Sequence, residues 1–494
     1  MNYQDEINYL LSHPEELIKK KPFTRGAKRP VSLTDETTEV GIGEVAEAVL
    51  PNTERKVITQ DRFLAELDPE CHDVLFDENI PSITVKTKKG GYIDLEFKKM
   101  AVPFQKMIRN KHVLHLCGYD LQHTLNNIAP TEQNRNDFAV FKQYWKKRNM
   151  GGLRTKMVSA QKSVGDAGLL FYFDRNGQVK ARPISYLDGY VLCPHNDENG
   201  DRLIESIYYQ VGDTEYIDSF TDTAQYRHVR KLTGENSDWT VDPNVNGIPH
   251  GFNEIPLVTK RGEVAWNGVQ STIEVYEIIY NIFLVIQKRH GWGILYIKGH
   301  FAENAKKIAG AVVLNDNDLN SDGDAKYLSA PTPEGMLDTL KLMEETIQKG
   351  SGTTFILPKD ITTAGDISGV AIEITQSLDN EEALSGVIEW QNVASKMGRL
   401  FKYGLSKELQ QKGDSDAITR FDALEIETCF KQWRPRNHAE YNQMLAMLKN
   451  AGLISQKTGI EKNTESTPDE EIRVANELPA VDETGAVALE SGEL

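Results

Sequence analysis

The sequence is poor in cysteine. Its four thiols, Cys71, Cys117, Cys193 and Cys429, are scattered with no close pair. That excludes a disulfide framework and a cysteine zinc site, and it fits a reducing compartment. No apolar run of about 18 residues occurs, the length that a membrane-spanning helix needs. The N-terminus, Met-Asn-Tyr-Gln-Asp-Glu, has no apolar signal region, so nothing in it directs export. A Walker-type phosphate loop, a Gly-x-Ser-x-Gly elbow and a His-Glu-x-x-His helix are all missing. Neither a catalytic constellation nor a nucleotide-hydrolysing motif is expected, and there is no internal repeat.

Positive charge is also scarce. The 494 residues carry a formal net charge of −17. The deficit is uneven: Lys86 to Lys162 holds sixteen Lys/Arg against five Asp/Glu, a local +11 that leaves −28 on the rest. An acidic chain does not clamp nucleic acid over its whole surface, because phosphate binding needs a cationic one. The basic segment reads as a solvated face or a local anion contact.

The chain is organised around Gly268–Leu405. From Gln270 to about Arg289, apolar residues Ile273, Tyr276, Tyr280 and Phe283 recur at helical steps, and Val275, Ile278, Ile279, Ile282 and Val285 cover much of the remainder. A helix apolar nearly all round is buried on several sides. An insert follows: a strand at Gly293–Lys298, a small helix at Ala302–Ala309, an Ala-Val-Val-Leu run and an Asp/Asn-rich loop. A second helix starts at Thr332 or Pro333 and is stopped at Lys349 by Gly350. A Gly/Thr-rich loop, Gly350–Gly365, leads to a third helix that opens near Asp366 or Ser368 and runs towards Leu405.

Before this core, residues 2–20 read as a short helix and residues 21–50 as a loosely packed arm. Residues 54–67 are helical or mixed. Residues 82–97 form a hairpin, Lys98–Leu116 a helix, and Phe138–Ala167 a helical stretch broken near Gly151-Gly152. Gly168–Cys193 is the clearest β signal, turning at Asn176-Gly177. Strands at 207–211, 214–217 and 226–232 continue an antiparallel meander. After Leu405 come a polar break at Lys407–Ser415, a strand at Ala423–Phe430, an amphipathic helix at His438–Asn450 and short helices at 453–458 and 468–478. Residues 479–494 are small and acidic and read as disordered.

Chemistry signals are weak. Asp318-Leu319-Asn320-Ser321-Asp322-Gly323 fits the start of a calcium loop, but Ser329 stands where a bidentate Glu is needed, so a solvated turn is favoured. Gly350-Ser351-Gly352-Thr353-Thr354 lacks the lysine of a phosphate loop. His112 and His115 lie on one helix without a carboxylate motif, which favours packing over metal binding. No cofactor or metal is expected.

The order of parts resembles the portal proteins of tailed bacteriophages. The residues that carry the resemblance are Asn253-Glu254-Ile255-Pro256-Leu257-Val258 leading into Gln270–Asn281, Ile367-Ser368-Gly369-Val370-Ala371-Ile372, and Ala451–Thr458 followed by Pro468-Asp469-Glu470-Glu471. It covers roughly Ile83–Leu478, and it departs at Ile367, where the family often has a second serine. The resemblance implies an α+β portal fold: an antiparallel β and helical wing, a two-helix stem, a small α/β clip, a long channel helix and a helical crown. By that reading residues 1–53 are an N-terminal arm, and 54–266 with 366–432 the wing. Residues 267–289 and 333–349 are the stem, 290–332 the clip, 350–365 the channel loop, 433–478 the crown and 479–494 an acidic tail.

The resemblance further implies a ring, typically of twelve subunits, at one capsid vertex of the virion, assembled in the host cytoplasm. Double-stranded DNA would pass through it without sequence readout. Its partners would be the terminase large subunit, a head–tail adaptor, and the major capsid and scaffold proteins; no membrane is involved. Thr353, Thr354, Lys359, Thr362, Thr363, Ser368 and Gly369 would face the channel, with Lys349 and Lys359 as a sparse basic ring or, equally, solvent-facing lysines. Clip residues Lys306, Lys307, Asp316, Asp318, Asp322 and Asp324 are the candidate docking positions. The rivals are another capsid-associated or adaptor protein, and a soluble metal-dependent enzyme using the Asp316–Asp324 loop.

Overall fold

The computed structural model describes residues 3–19, 23–28, 55–80, 83–86, 92–95, 98–233, 238–290, 294–298, 306–308, 311–313, 324–328, 334–355, 377–431, 438–463 and 474. The chain divides into two units, residues 1–354 with 378–433, and residues 355–377 with 434–494.

In the first unit, helices α1 (Tyr3–Ser12) and α2 (Pro14–Leu17) lay Ile7 and Leu17 on Leu203, Ile204 and Ile217 of a sheet. His228 Nε2 bonds Leu11 O at 3.0 Å and His195 Nε2 bonds Leu17 O at 2.9 Å, which satisfies carbonyls at helix ends. The arm is not wholly loose: strand β1 (Phe23–Lys28) pairs antiparallel with β2 (Arg55–Ile58). Helices α3 (Gln60–Leu67) and α4 (Asp73–Phe76) precede the expected hairpin, β3 (Ile83–Lys86) with β4 (Tyr92–Leu95).

Helix α5 (Phe104–Cys117) begins six residues later than the pattern suggested. Pro103 explains the delay, because a proline ring disfavours helical backbone in the residue before it. Strand β5 (Gln122–Leu125) follows, then α6 (Glu132–Lys147), capped by the Thr131 hydroxyl on Asn134 N at 3.2 Å, and α7 (Met150–Val164). The break between α6 and α7 falls at Asn149, which adopts φ 51°, and not at Gly151-Gly152, which lie within α7. Asparagine tolerates this left-handed conformation better than most residues.

Strands β6 (Asp166–Phe173) and β7 (Val179–Ile184) form the Asn-Gly hairpin, with Gly177 at φ 70°. A sequential antiparallel meander follows: β8 (Val191–Asn196), β9 (Arg202–Val211), β10 (Thr214–Phe220), β11 (Ala224–Lys231) and β12 (Thr240–Pro249). Proline in β12 is tolerated because it is an edge strand. Strand β13 (Leu257–Arg261) then returns to pair with β6.

Helices α8 (Gln270–His290) and α9 (Glu334–Ser351) pack on one another. Between them lie β14 (Ile294–Lys298) paired with β17 (Asp324–Leu328), and β15 (Lys306–Ile308) paired with β16 (Ala311–Val313). The helix expected over Ala302–Ala309 is therefore wrong where it can be checked. Its Ala/Lys composition favours helix, but Lys306–Ile308 pairs residue by residue with the β-branched Val312 and Val313, and tertiary pairing overrides propensity.

Helix α10 (Ser377–Gln411) passes straight through Lys407, where a polar break was expected; its proposed start at 366–368 lies outside the described residues. Helix α11 (Ala417–Asp422) leads to β18 (Ile426–Cys429), which pairs with β5. The main core lies along α10: Trp390, Met397 and Phe401 are fully buried against Phe141 and Trp145 of α6, Met157 of α7 and Phe171 of β6. Phe401 meets Phe141 and Trp145 edge-on at 5.5 and 5.1 Å, a favoured aromatic geometry.

In the second unit, α12 (His438–Asn450) packs on α13 (Gln456–Lys462), whose N-terminus is capped by Ser455 on Thr458 N at 3.1 Å. Among the described residues no helix is long and apolar enough to cross a membrane.

Candidate functional site

The base of the Gly/Thr loop brings distant parts of the chain together. Helix α9 ends in a two-bond reverse turn, with Thr353 N bonded to Gln348 O at 3.0 Å and Gly352 N to Lys349 O at 3.4 Å. This Schellman arrangement satisfies the helix's last carbonyls and needs a left-handed residue after the cap. Gly352 supplies it at φ 60°, and a Cβ there would lie 2.9 Å from Glu382 Cβ, so glycine is required on both counts.

The turn is then fastened to two other helices. His112 Nε2 of α5 donates to Ser351 O at 2.9 Å. Thr354 N donates to Asp379 Oδ1 of α10 at 3.2 Å. Asp379 is buried in the first turn of α10, where a carboxylate complements the helix N-terminus. Its oxygens lie 4.0 Å from Lys111 Nζ and 3.7 Å from His115 Nε2. One turn on, Glu382 Oε1 lies 3.7 Å from His112 Nδ1 and 3.9 Å from Lys162 Nζ. The end of α9 and the first turn of α10 are thus tied to one another and to α5 and α7. A polar groove of about 930 Å³ opens beside it, lined by His112, Lys162, Lys349, Glu381 and Glu382 among others.

Burial, and next the charge of Lys162, push the His112 pKa down to about 3. His112 is therefore neutral at ordinary pH, which leaves Nε2–H free to donate. The sign of the linkage follows: its contribution to stability is fully present above the unfolded value near 6.5, and is lost as pH falls from there towards about 3, because only the unfolded chain takes up the proton. Urea denaturation at pH 7.5 and pH 5 should show a stability drop in the parent protein. That drop should be smaller in His112→Gln, which keeps a donor but cannot be protonated. Equal drops in both would remove His112 as the cause.

Among the described residues no group of three or more His, Cys, Asp or Glu could hold a metal. Thr353, expected at the channel, is fully buried here, with Oγ1 2.6 Å from Ser351 Oγ, so its side chain faces protein. Thr354 is half-buried at the anchor. Lys349 is exposed, 3.5 Å from Glu345. Lys306 and Lys307 stand in β15 and Asp324 opens β17, opposite Lys298. Lys359, Thr362, Thr363, Ser368, Gly369, Asp316, Asp318 and Asp322 lie outside the described residues.

Asp379, Glu382 and Lys162 were not singled out from sequence. The sequence signal for Asp379 is Ser377-Leu378-Asp379, an acidic first turn.

No curated protein sequence matches the chain. The family described as phage portal protein, SPP1 Gp6-like, matches residues 96–477, from just after β4 through α8, α9, α10 and α12–α13. This match spans most of the chain and agrees with the mixed helix-and-sheet architecture. The chain belongs to the phage portal protein family of the SPP1 Gp6-like type.

Proposed function

We propose that this chain forms a closed ring at one capsid vertex, typically of twelve subunits, through which double-stranded DNA is packaged and later ejected. The observation that carries the ring is apolar surface left bare along its central helices. Val275 of α8 is 47 % exposed, Leu342 of α9 63 %, and Leu384 and Ile388 of α10 53 % and 70 %. In a head-to-tail ring each protomer's bare face is covered by the next, and closure leaves none uncovered.

Within that ring α8 and α9 form the stem, the β14–β17 insert the clip, residues 350–365 the channel loop, and α12–α13 the crown. The clip docks the terminase motor during packaging and the head–tail adaptor afterwards, through positions such as Lys306, Lys307 and Asp324. The fastened loop base is suited to presenting residues 350–365 to DNA. Lys349 stands exposed next to that base and is retained as a sparse cationic contact; Lys359, Thr362 and Thr363 are retained as loop contacts. The energy for translocation comes from the motor.

Native mass spectrometry and negative-stain top views of the purified protein test this reading. A ring of about twelve subunits with a central hole is expected. A monodisperse monomer or dimer at every concentration and salt would overturn it.

A further inference from the structure

Lys111 and Lys162 of the basic segment face carboxylates of the loop base, but its exposed charge on α6 lies elsewhere. On α6, Arg135, Lys142 and Lys146 fall on one face at seven- and four-residue steps, with Lys147 beside them, and all four are exposed. Lys142, Lys146 and Lys147 have no carboxylate partner among the described residues. The end of α10 comes to the same place: Lys412 Nζ lies 5.4 Å from the centre of the Tyr144 ring, and Lys147 Nζ 5.5 Å from it. The β6–β7 turn adds exposed Arg175, since Arg148 of the α6–α7 link donates to Gln178 Oε1 at 2.8 Å.

Helix α10 serves as a ruler. Its first turn holds the loop base through Asp379, and the cationic patch sits at Lys412, just beyond its other end. Thirty-five residues at about 1.5 Å each place the patch about 50 Å from the loop base. It is therefore a second cationic surface, too far from the loop base to act on the same stretch of duplex.

We propose that this patch binds the phosphate backbone of double-stranded DNA outside the channel, without reading sequence. Charge complementarity selects a polyanion. Beside the cations in the sequence stand exposed Gln143, Asn149, Asn176 and Gln410, whose amides can donate to phosphate oxygens, and the rings the cations touch, Tyr144 and Phe138, are only half-exposed. A protein partner takes most of its binding energy from buried apolar anchors, and the exposed side chains named here are cations and amides. The proposal rests on the portal reading only for the presence of DNA and for the existence of a channel.

The test uses the full chain as purified and a small, relaxed, covalently closed duplex circle, which cannot thread a closed ring. Binding is measured by fluorescence anisotropy across a salt series, with native mass spectrometry reporting assembly on each sample. The parent protein should bind the circle with strong salt dependence. K142Q/K146Q/K147Q should weaken binding more than tenfold at moderate salt, and should flatten the slope of log affinity against log salt by about 2.7, as expected for three lost phosphate contacts. Lys341→Gln, on α9, should leave the slope unchanged. Binding of the circle by the triple variant as tightly as by the parent would overturn the proposal. So would parent binding to poly-glutamate as tight as to the duplex at matched charge and salt, which would assign the patch to an acidic protein. Failure to form a ring reads out separately, in the mass, and would count against the portal reading and not against the patch.

Discussion

A chain carrying aspartate at both Leu384 and Ile388 is expected to fold and yet to remain a protomer. The two side chains are four residues apart, on one face of α10, and they are 53 % and 70 % exposed. The opposite face of the same helix holds Trp390, Met397 and Phe401 at full burial. Covering Leu384 and Ile388 by a neighbour would contribute about 3 kcal/mol per interface at ordinary transfer values, roughly a hundredfold in each association step. Aspartate at both sites removes that term and adds the cost of burying two carboxylates against an acidic neighbour. Ring closure multiplies the loss, since every interface carries it. Native mass spectrometry should therefore show loss of the ring, while circular dichroism and the urea midpoint of the protomer stay close to the parent's. Persistence of rings in the double variant would place the subunit seam elsewhere and remove α10's bare face from it.

The same helix illustrates what a sequence makes legible. Its buried residues Val393, Met397, Leu400 and Phe401 announce themselves by spacing, as do Ile273, Tyr276 and Tyr280 on α8 and the Asn176-Gly177 turn between β6 and β7. Each of these signals is local: a period or a turn residue that physics constrains within a few positions. Strand β5 was missed for the opposite reason. Gln122-His123-Thr124-Leu125 has little strand character of its own, and it becomes a strand by pairing with Ile426–Cys429, some three hundred positions along the chain. Strand β12, polar and carrying prolines, is an edge strand paired with β11.

The loop base was less legible still. His112 drew notice as half of a possible metal pair, yet its role is a hydrogen bond to Ser351 O, 239 positions away. Asp379 and Glu382 look like ordinary acids in a helical first turn, and Lys162 like one more cation in a basic stretch. Nothing in spacing says that they converge. The family match supplied the family over residues 96–477, and the coordinates supplied the convergence.

Glu408 is where loss of a single side chain should cost the most. Its carboxylate is almost fully buried and accepts from Arg148 Nη2 at 3.0 and 3.2 Å and from Val179 N at 3.0 Å, with Lys412 Nζ closing the set from one turn on. These contacts tie the end of α10 to the α6–α7 link and to the start of β7. Removing one partner of a buried pair leaves the other charge desolvated, and typically costs about 3–5 kcal/mol. Glu408→Ala should lose stability of that order by tryptophan fluorescence in urea, measured in the Leu384→Asp/Ile388→Asp background so that assembly does not enter. Glu408→Gln keeps two acceptor bonds and should lose about half as much. In the Glu408→Ala/Arg148→Ala double variant the cost should fall well short of the sum of the two single variants, because neither charge is then left unpaired. Strict additivity would show that the pair is not coupled and that α10 is held at this end by packing alone. The DNA proposal makes a separate demand on the same variant. Glu408→Ala frees Lys412 from its carboxylate, so the folded variant should bind the closed duplex circle at least as tightly as its parent background. Stability and binding would then move in opposite directions, a pattern that general unfolding of this end of the domain could not produce.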